Sequence, residues 1–225
     1  MNFPQRLASV RERMEAARAR SGRQDPVILL GATKGVGVPV LEEALAAGLD
    51  LFGENRMQEA LPKVQALSGR GVSWHFIGHL QKNKAAAAAE SFAMVQSVDT
   101  PGLALKLQAA AREIETALSV LLEINIGGEA AKTGCMPADL PPLLETLERC
   151  DNLVFEGLMA VPPYHPDPER ARPYFRQMRE IFERLSGVFP RVRHLSMGMS
   201  EDYEVAVEEG ATMVRIGRAL FGERG

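Results

Sequence analysis

Residues 27–35 read Val-Ile-Leu-Leu-Gly-Ala-Thr-Lys-Gly, an apolar run that ends on a hydroxyl, a lysine and a glycine. Residues 119–125, Ser-Val-Leu-Leu-Glu-Ile-Asn, repeat the form. Such nearly continuous apolar runs mark strands whose sheet is covered on both faces. Working outward, comparable runs occupy residues 49–53, 74–78, 94–98, 153–159, 192–196 and 212–217, which with 27–33 and 119–125 makes eight. Between them lie helix candidates, among them residues 84–90, 102–115, 140–149, 169–185 and 202–209. Start signals agree: Pro39 suits a first helical position, Thr100 before Pro101 reads as a cap, and Ser200 reads as a cap ahead of Glu201 and Asp202.

Eight strands alternating with helices imply parallel pairing, because each crossover returns the chain in the same direction. Spread over 225 residues, the units average about 28 residues each, which predicts an α/β fold: a compact (β/α)8 TIM barrel, one domain spanning residues 1–225. A doubly wound open sheet is the alternative. Ahead of the first strand, Phe3, Leu7, Val10 and Met14 fall on one helical face, so an extra N-terminal helix over about residues 3–20 is expected to dock on the barrel. Its arginines, Arg6, Arg11, Arg13, Arg18 and Arg20, raise the question of a transit peptide; Glu12 and Glu15 argue against one.

Composition narrows the function. The chain is 46% hydrophobic and 24% charged, with a formal net charge of −3, ordinary for a folded domain and without a field for gripping a phosphate polymer. Nucleic acid is therefore not an expected partner. No apolar run reaches the roughly 20 residues that span a bilayer, so no membrane association is expected. Cys135 and Cys150 form no CxxC pair, which points to free thiols and a cytoplasmic protein.

Reactive residues of a barrel belong just after its strands. Lys34 follows the first, in a loop with Gly35 and Gly37, where a partly desolvated amine is available to attack an aldehyde; a solvated strand-end lysine is the plainer reading. The glycines are not a dinucleotide fingerprint, since its third position is Val40. The loops after strands seven and eight commonly make a phosphate site in barrels, and here Ser196 and Ser200 offer hydroxyls while Gly198 and Gly217 admit close backbone approach. Arg215, a permanent cation on the last strand, is either part of that site or ion-paired with Glu54 or Glu123. His75 and His79 lie on or beside a strand, which makes them core or pocket-wall residues and zinc unexpected; Lys82 and Lys84 near a helix start suit a solvated loop or a nearby anion.

Several segments occur in a telling order: Ala32-Thr33-Lys34, Phe52-Gly53-Glu54-Asn55, His75-Phe76-Ile77-Gly78-His79, Asn125 with Glu129 and Lys132, Gly157-Leu158-Met159, Leu195 through Ser200, and Val214-Arg215-Ile216-Gly217. Together they resemble the YggS/PROSC family of pyridoxal 5′-phosphate homeostasis proteins, over about residues 27–224. The resemblance implies a fold-type III barrel like that of alanine racemase, with pyridoxal phosphate (PLP) as cofactor, held as an imine on Lys34. It also implies phosphate contacts from Ser196, Ile216 and Gly217, Arg215 beside the pyridine nitrogen, and Asn55 at the ring edge. One departure is plain: many relatives carry a second lysine two positions beyond the first, where this chain has Val36 within Gly35-Val36-Gly37.

An arginine at the ring nitrogen disfavours its protonation and weakens the ring as an electron sink. The resemblance accordingly implies a carrier acting in vitamin B6 and amino-acid homeostasis, without an established reaction, expected as a monomer that hands PLP to recipient apoenzymes. Two alternatives stay open. One is a weak amino-acid racemase, although only nine residues follow Ile216, too few for the second domain of alanine racemases, and Tyr164, Tyr174 and Tyr203 lie in no matched motif. The other is a barrel for a different phosphorylated small molecule, with Lys34 a cation at its rim.

Overall fold

The computed structural model describes residues 1–222, so Arg224 and the last residues of the expected span lie outside the described part. Its eight strands are β1 (Ile28–Ala32), β2 (Leu51–Glu54), β3 (Ser73–Phe76), β4 (Met94–Val98), β5 (Leu118–Ile124), β6 (Leu153–Ala160), β7 (His194–Ser196) and β8 (Met213–Ile216). Each pairs in parallel with its sequence neighbour, and β8 closes on β1, with Ile28 opposite Met213 and Gly31 opposite Ile216. The closed barrel is the predicted one, and the open-sheet alternative falls.

The helices are α1 (Phe3–Ser21), α2 (Val38–Ala46), α3 (Met57–Ala66), α4 (Ala85–Ser91), α5 (Pro101–Glu113), α6 (Leu140–Leu147), α7 (Arg172–Ser186), α8 (Tyr203–Glu208) and α9 (Arg218–Phe221). Helix α1 docks as its spacing predicts, burying Phe3, Leu7, Val10, Met14 and Ala17. Its arginines have structural work: Arg13 and Arg20 pair with Glu204, and Arg20 with Glu208 at 2.6 Å, both on α8. Thr100 caps α5, its hydroxyl accepting from Leu103 N. Ser200 does not cap α8; Asp202 precedes that helix, and its carboxylate accepts from Met199 N at 2.7 Å. That bond turns back to the preceding loop, so α8 begins without a side-chain cap.

Alternation along the strands divides two cores. One face meets the helices, with Phe52 against Trp74 and Phe76 against Phe92 at ring separations of 5.4 and 5.2 Å. The other face fills the barrel, where Met94, Leu121 and Met159 form a small separate cluster. Beside them runs a chain of buried polar groups, each link satisfying the next as buried polar atoms must. Arg215 Nη1 donates to Ser196 Oγ at 2.7 Å, that hydroxyl donates to Gln96 Oε1 at 2.7 Å, and Gln96 Nε2 donates to His75 Nδ1 at 2.9 Å. Because Nδ1 accepts, the ring proton sits on Nε2 and the imidazole is neutral. Burial, reinforced by repulsion from His194, pushes the His75 pKa down to about 4.

One position binds the barrel to its sequence without slack. Between β5 and β6 the register skips a residue, and Gly157 there has φ +149°; a Cβ would lie 1.8 Å from the carbonyl oxygen of His194. Gly157→Ala is expected to cost more than about 3 kcal/mol in chemical denaturation, from backbone strain and a clash that cannot relax; a loss under about 1 kcal/mol would contradict this geometry. For His75, whose pKa falls from 6.5 unfolded to about 4 folded, the unfolded chain binds the extra proton between those values, so stability is complete above pH 6.5 and falls as pH drops toward 4, by up to about 3 kcal/mol. His75→Asn should flatten that part of the profile; equal slopes in the two proteins would refute the assignment.

Candidate functional site

Pairing of β1 with β8 sets the site. Leu30 lies opposite Arg215 and Gly31 opposite Ile216, so the loop carrying Lys34 emerges beside the loop carrying Gly217. Two clefts open along this seam. The smaller, about 160 Å³, is walled by Lys34, Val36, Val40 and Phe221. The larger, about 530 Å³, is walled by Tyr164, Met199, Ser200 and Arg215. They share Ala32, Gly217 and Arg218, which places Lys34 and Arg215 on either side of one seam.

Arg215 is only 4% exposed. Its Nη1 is taken by Ser196 and its Nη2 donates to the Ala160 carbonyl at 3.0 Å. Neither carboxylate named as its alternative partner pairs with it. Glu54 accepts from Lys63 at 2.6 Å and Glu123 from Thr133 at 2.7 Å, while Asp202 and Glu123 act on the guanidinium only through space. Burial pulls its pKa down to about 10, which leaves it a cation at neutral pH. A buried charge held by neutral dipoles alone is costly, and a ligand offering electron density at the cleft wall would relieve it. Burial also raises the pKa values of Glu123 and Asp202 from their ordinary values.

The remaining predicted residues are not all brought to the seam. Gly217 is on the seam, and a Cβ there would stand 3.3 Å from the Ala32 carbonyl oxygen, so its bareness keeps the two loops close. Ile216 is fully buried and lines neither cleft itself. Ser196 is fully buried beneath Arg215, its hydroxyl committed at both ends, whereas Ser200 lines the larger cleft and accepts from Ala219 N at 3.3 Å. Asn55 lies off the seam, in a neighbouring hollow with His79 and Lys84; its Oδ1 is buried without a partner, and bare Gly78 packs against its backbone. Gly198, at φ +93°, serves packing, since a Cβ would come within 2.5 Å of Ala206 Cβ. His79 is exposed, and among the described residues no three His, Cys, Asp or Glu side chains gather as metal ligands would.

Sequence reasoning passed over two elements of the site. Gln96 couples Ser196 to His75, and its only signal is an amide inside an apolar strand. Lys63 lies on α3, a helix absent from the predicted set, at a position otherwise apolar: Met57, Ala60, Lys63 and Leu67 are the buried residues of that stretch. A lysine on an apolar stripe is the readable sign.

Residues 6–225 match the family described as alanine racemase, N-terminal domain. The chain is 45% identical to the pyridoxal phosphate homeostasis protein of Aquifex aeolicus, over 100% of this chain and 99% of that one. Among solved structures, PipY of Synechococcus elongatus with PLP bound superposes with a TM-score of 0.85 at 35% identity, covering 98% of this chain and 100% of that one. The same protein without PLP gives 0.88 at 36%, with equal coverage. Similarity of this extent, running through every strand and both halves of the seam, makes the chain a member of the pyridoxal phosphate homeostasis family, built on the alanine racemase N-terminal barrel.

Proposed function

We propose that this chain holds pyridoxal 5′-phosphate at the seam between its first and last strands and keeps the reactive aldehyde out of solution, serving vitamin B6 and amino-acid homeostasis. The observation that carries the reading is the buried, unpaired Arg215 guanidinium on a cleft whose shared wall leads to Lys34. When bound, the cofactor supplies an aldehyde that reacts reversibly with a primary amine. Lys34 is the amine. Ser200 and the backbone at Ile216 and Gly217 take the phosphate, an anion that glycine-rich backbone and a hydroxyl suit. Arg215 stands at the pyridine nitrogen, and Ser196 acts through it by fixing its Nη1. Asn55, in the hollow next to the seam, is assigned the ring edge.

A fixed cation at the ring nitrogen favours the unprotonated ring and a weak electron sink, which suits storage better than decarboxylation or transamination. Weak racemisation is the second reading, and one observation favours it: Tyr164 stands on the wall of the larger cleft and carries a phenol able to move a proton. Deuterium exchange at the α-carbon of L- and D-amino acids separates the two readings. A cytoplasmic carrier fits Cys135 and Cys150, which the fold buries as free thiols. We assign it a monomeric state and PLP-dependent apoenzymes as recipients.

Borohydride reduction of PLP-treated protein is expected to add one pyridoxyl group, by intact mass, at Lys34. Lys34→Ala should take up none while keeping its stability within about 1 kcal/mol. An undiminished adduct in that variant would defeat the assignment.

A further inference from the structure

We propose that Glu54, Glu59 and Lys63 are positioning residues for Lys34, fixing the backbone on both sides of it so that its amine is aimed before a ligand arrives; this rests on the function proposed above. The peptide group before the Lys34 Cα is held by its carbonyl: Lys63 Nζ donates to Thr33 O at 2.8 Å. The peptide group after it is held by its N–H: Gly35 N donates to Glu59 Oε2 at 3.1 Å. Glu59 and Lys63 are four residues apart on α3, hence on one face of that helix, and both reach the same loop.

Glu54 completes the device. Its Oε1 accepts from Lys63 Nζ at 2.6 Å and from Thr33 Oγ1 at 2.5 Å, so the ammonium and the Thr33 side chain are locked to one carboxylate oxygen. Lys63 is 8% exposed and Glu54 fully buried. A buried ion pair adds little net stability over an apolar pair of the same volume, so its presence calls for another role. Here that role is visible in what it grips: the carbonyl and the hydroxyl of Thr33, next to Lys34, while Glu59 holds the Gly35 N–H on the other side. Beyond them Gly35, at φ +73°, turns the chain away, which leaves the lysine at the apex of a clamped bend. Both dihedrals of Lys34 are thereby set by α3 and β2, and only its side-chain torsions remain to be ordered on binding. Preorganisation of this kind governs how often a nucleophile meets its target, and small misplacements cost one to two powers of ten in rate.

The clamp should matter for attachment and not for capture. Attachment forms a C=N bond between Lys34 Nζ and the aldehyde carbon and releases one water. Pyridoxine 5′-phosphate has the same ring and phosphate but an alcohol in place of the aldehyde, so it reports capture alone. Glu54→Gln with Lys63→Met removes both charges together and leaves no lone buried ion. In that double variant, pyridoxine 5′-phosphate is expected to bind within about twofold of the parent protein, while the rate at which PLP becomes borohydride-fixable on Lys34 falls by about tenfold or more. Glu59→Ala, which alters a half-exposed side chain, should slow attachment by about threefold with capture unchanged, and it decides the matter should the double variant fail to fold. Equal weakening toward both ligands, or unchanged attachment rates, would overturn the clamp. Absence of any Lys34 adduct in the parent protein would instead bring down the functional reading on which it stands.

Discussion

Closure of the sheet by β8 on β1 is the constraint from which the site follows. Seven strand pairs would build a curved sheet with a core on each face, but only the eighth, with Leu30 opposite Arg215 and Gly31 opposite Ile216, brings residues nearly two hundred positions apart to within a strand spacing. Lys34 then rises two residues past the end of β1 and Gly217 one residue past the end of β8. Their loops share a wall because neither strand can slide without turning its interior side chains outward. The bare Gly217 against the Ala32 carbonyl belongs to the same closure, since a Cβ there would sit a tight 3.3 Å from that oxygen.

Two buried cations show how the molecule separates scaffold from function. Lys63 is neutralised at once by Glu54 and spends its other hydrogen bond on a backbone carbonyl, so its charge is consumed in holding shape. Arg215 is given only neutral acceptors, Ser196 Oγ and Ala160 O, and its nearest carboxylates act at a distance. The first arrangement is closed and the second is unfinished. An unfinished buried charge on a cleft is tolerable when its partner is a ligand. The polar chain through Ser196, Gln96 and His75 is the cost of keeping that cation aimed, because each buried donor demands an acceptor until a neutral imidazole ends the series.

Lys34 is served from the opposite direction. Where Arg215 is held by side chains inside the barrel, Lys34 is held through its backbone from α3 outside it. The two grips share no residue: one passes through β3, β4, β6 and β7, the other through β2 and α3. The seam is thus fixed on each side separately, with exposed Tyr164 and the Arg218–Glu201 ion pair at its rim.

By itself the sequence determined the number and order of strands, the docking of the first helix and, to within two residues, where each strand ends, because alternation and apolar run length are local properties that survive without neighbours. Lys34, Arg215 and Gly217 were legible for that reason, as strand-end residues of units one and eight. Tertiary structure alone decided that Ser196 looks inward to Arg215 while Ser200 faces the cleft, that Asn55 stands in the next hollow, that Gln96 and His75 extend the arginine's support, and that Lys63 reaches Thr33. Those facts depend on stagger between strands and on how a helix packs over two of them, and both are set by distant pairings that local patterning cannot encode.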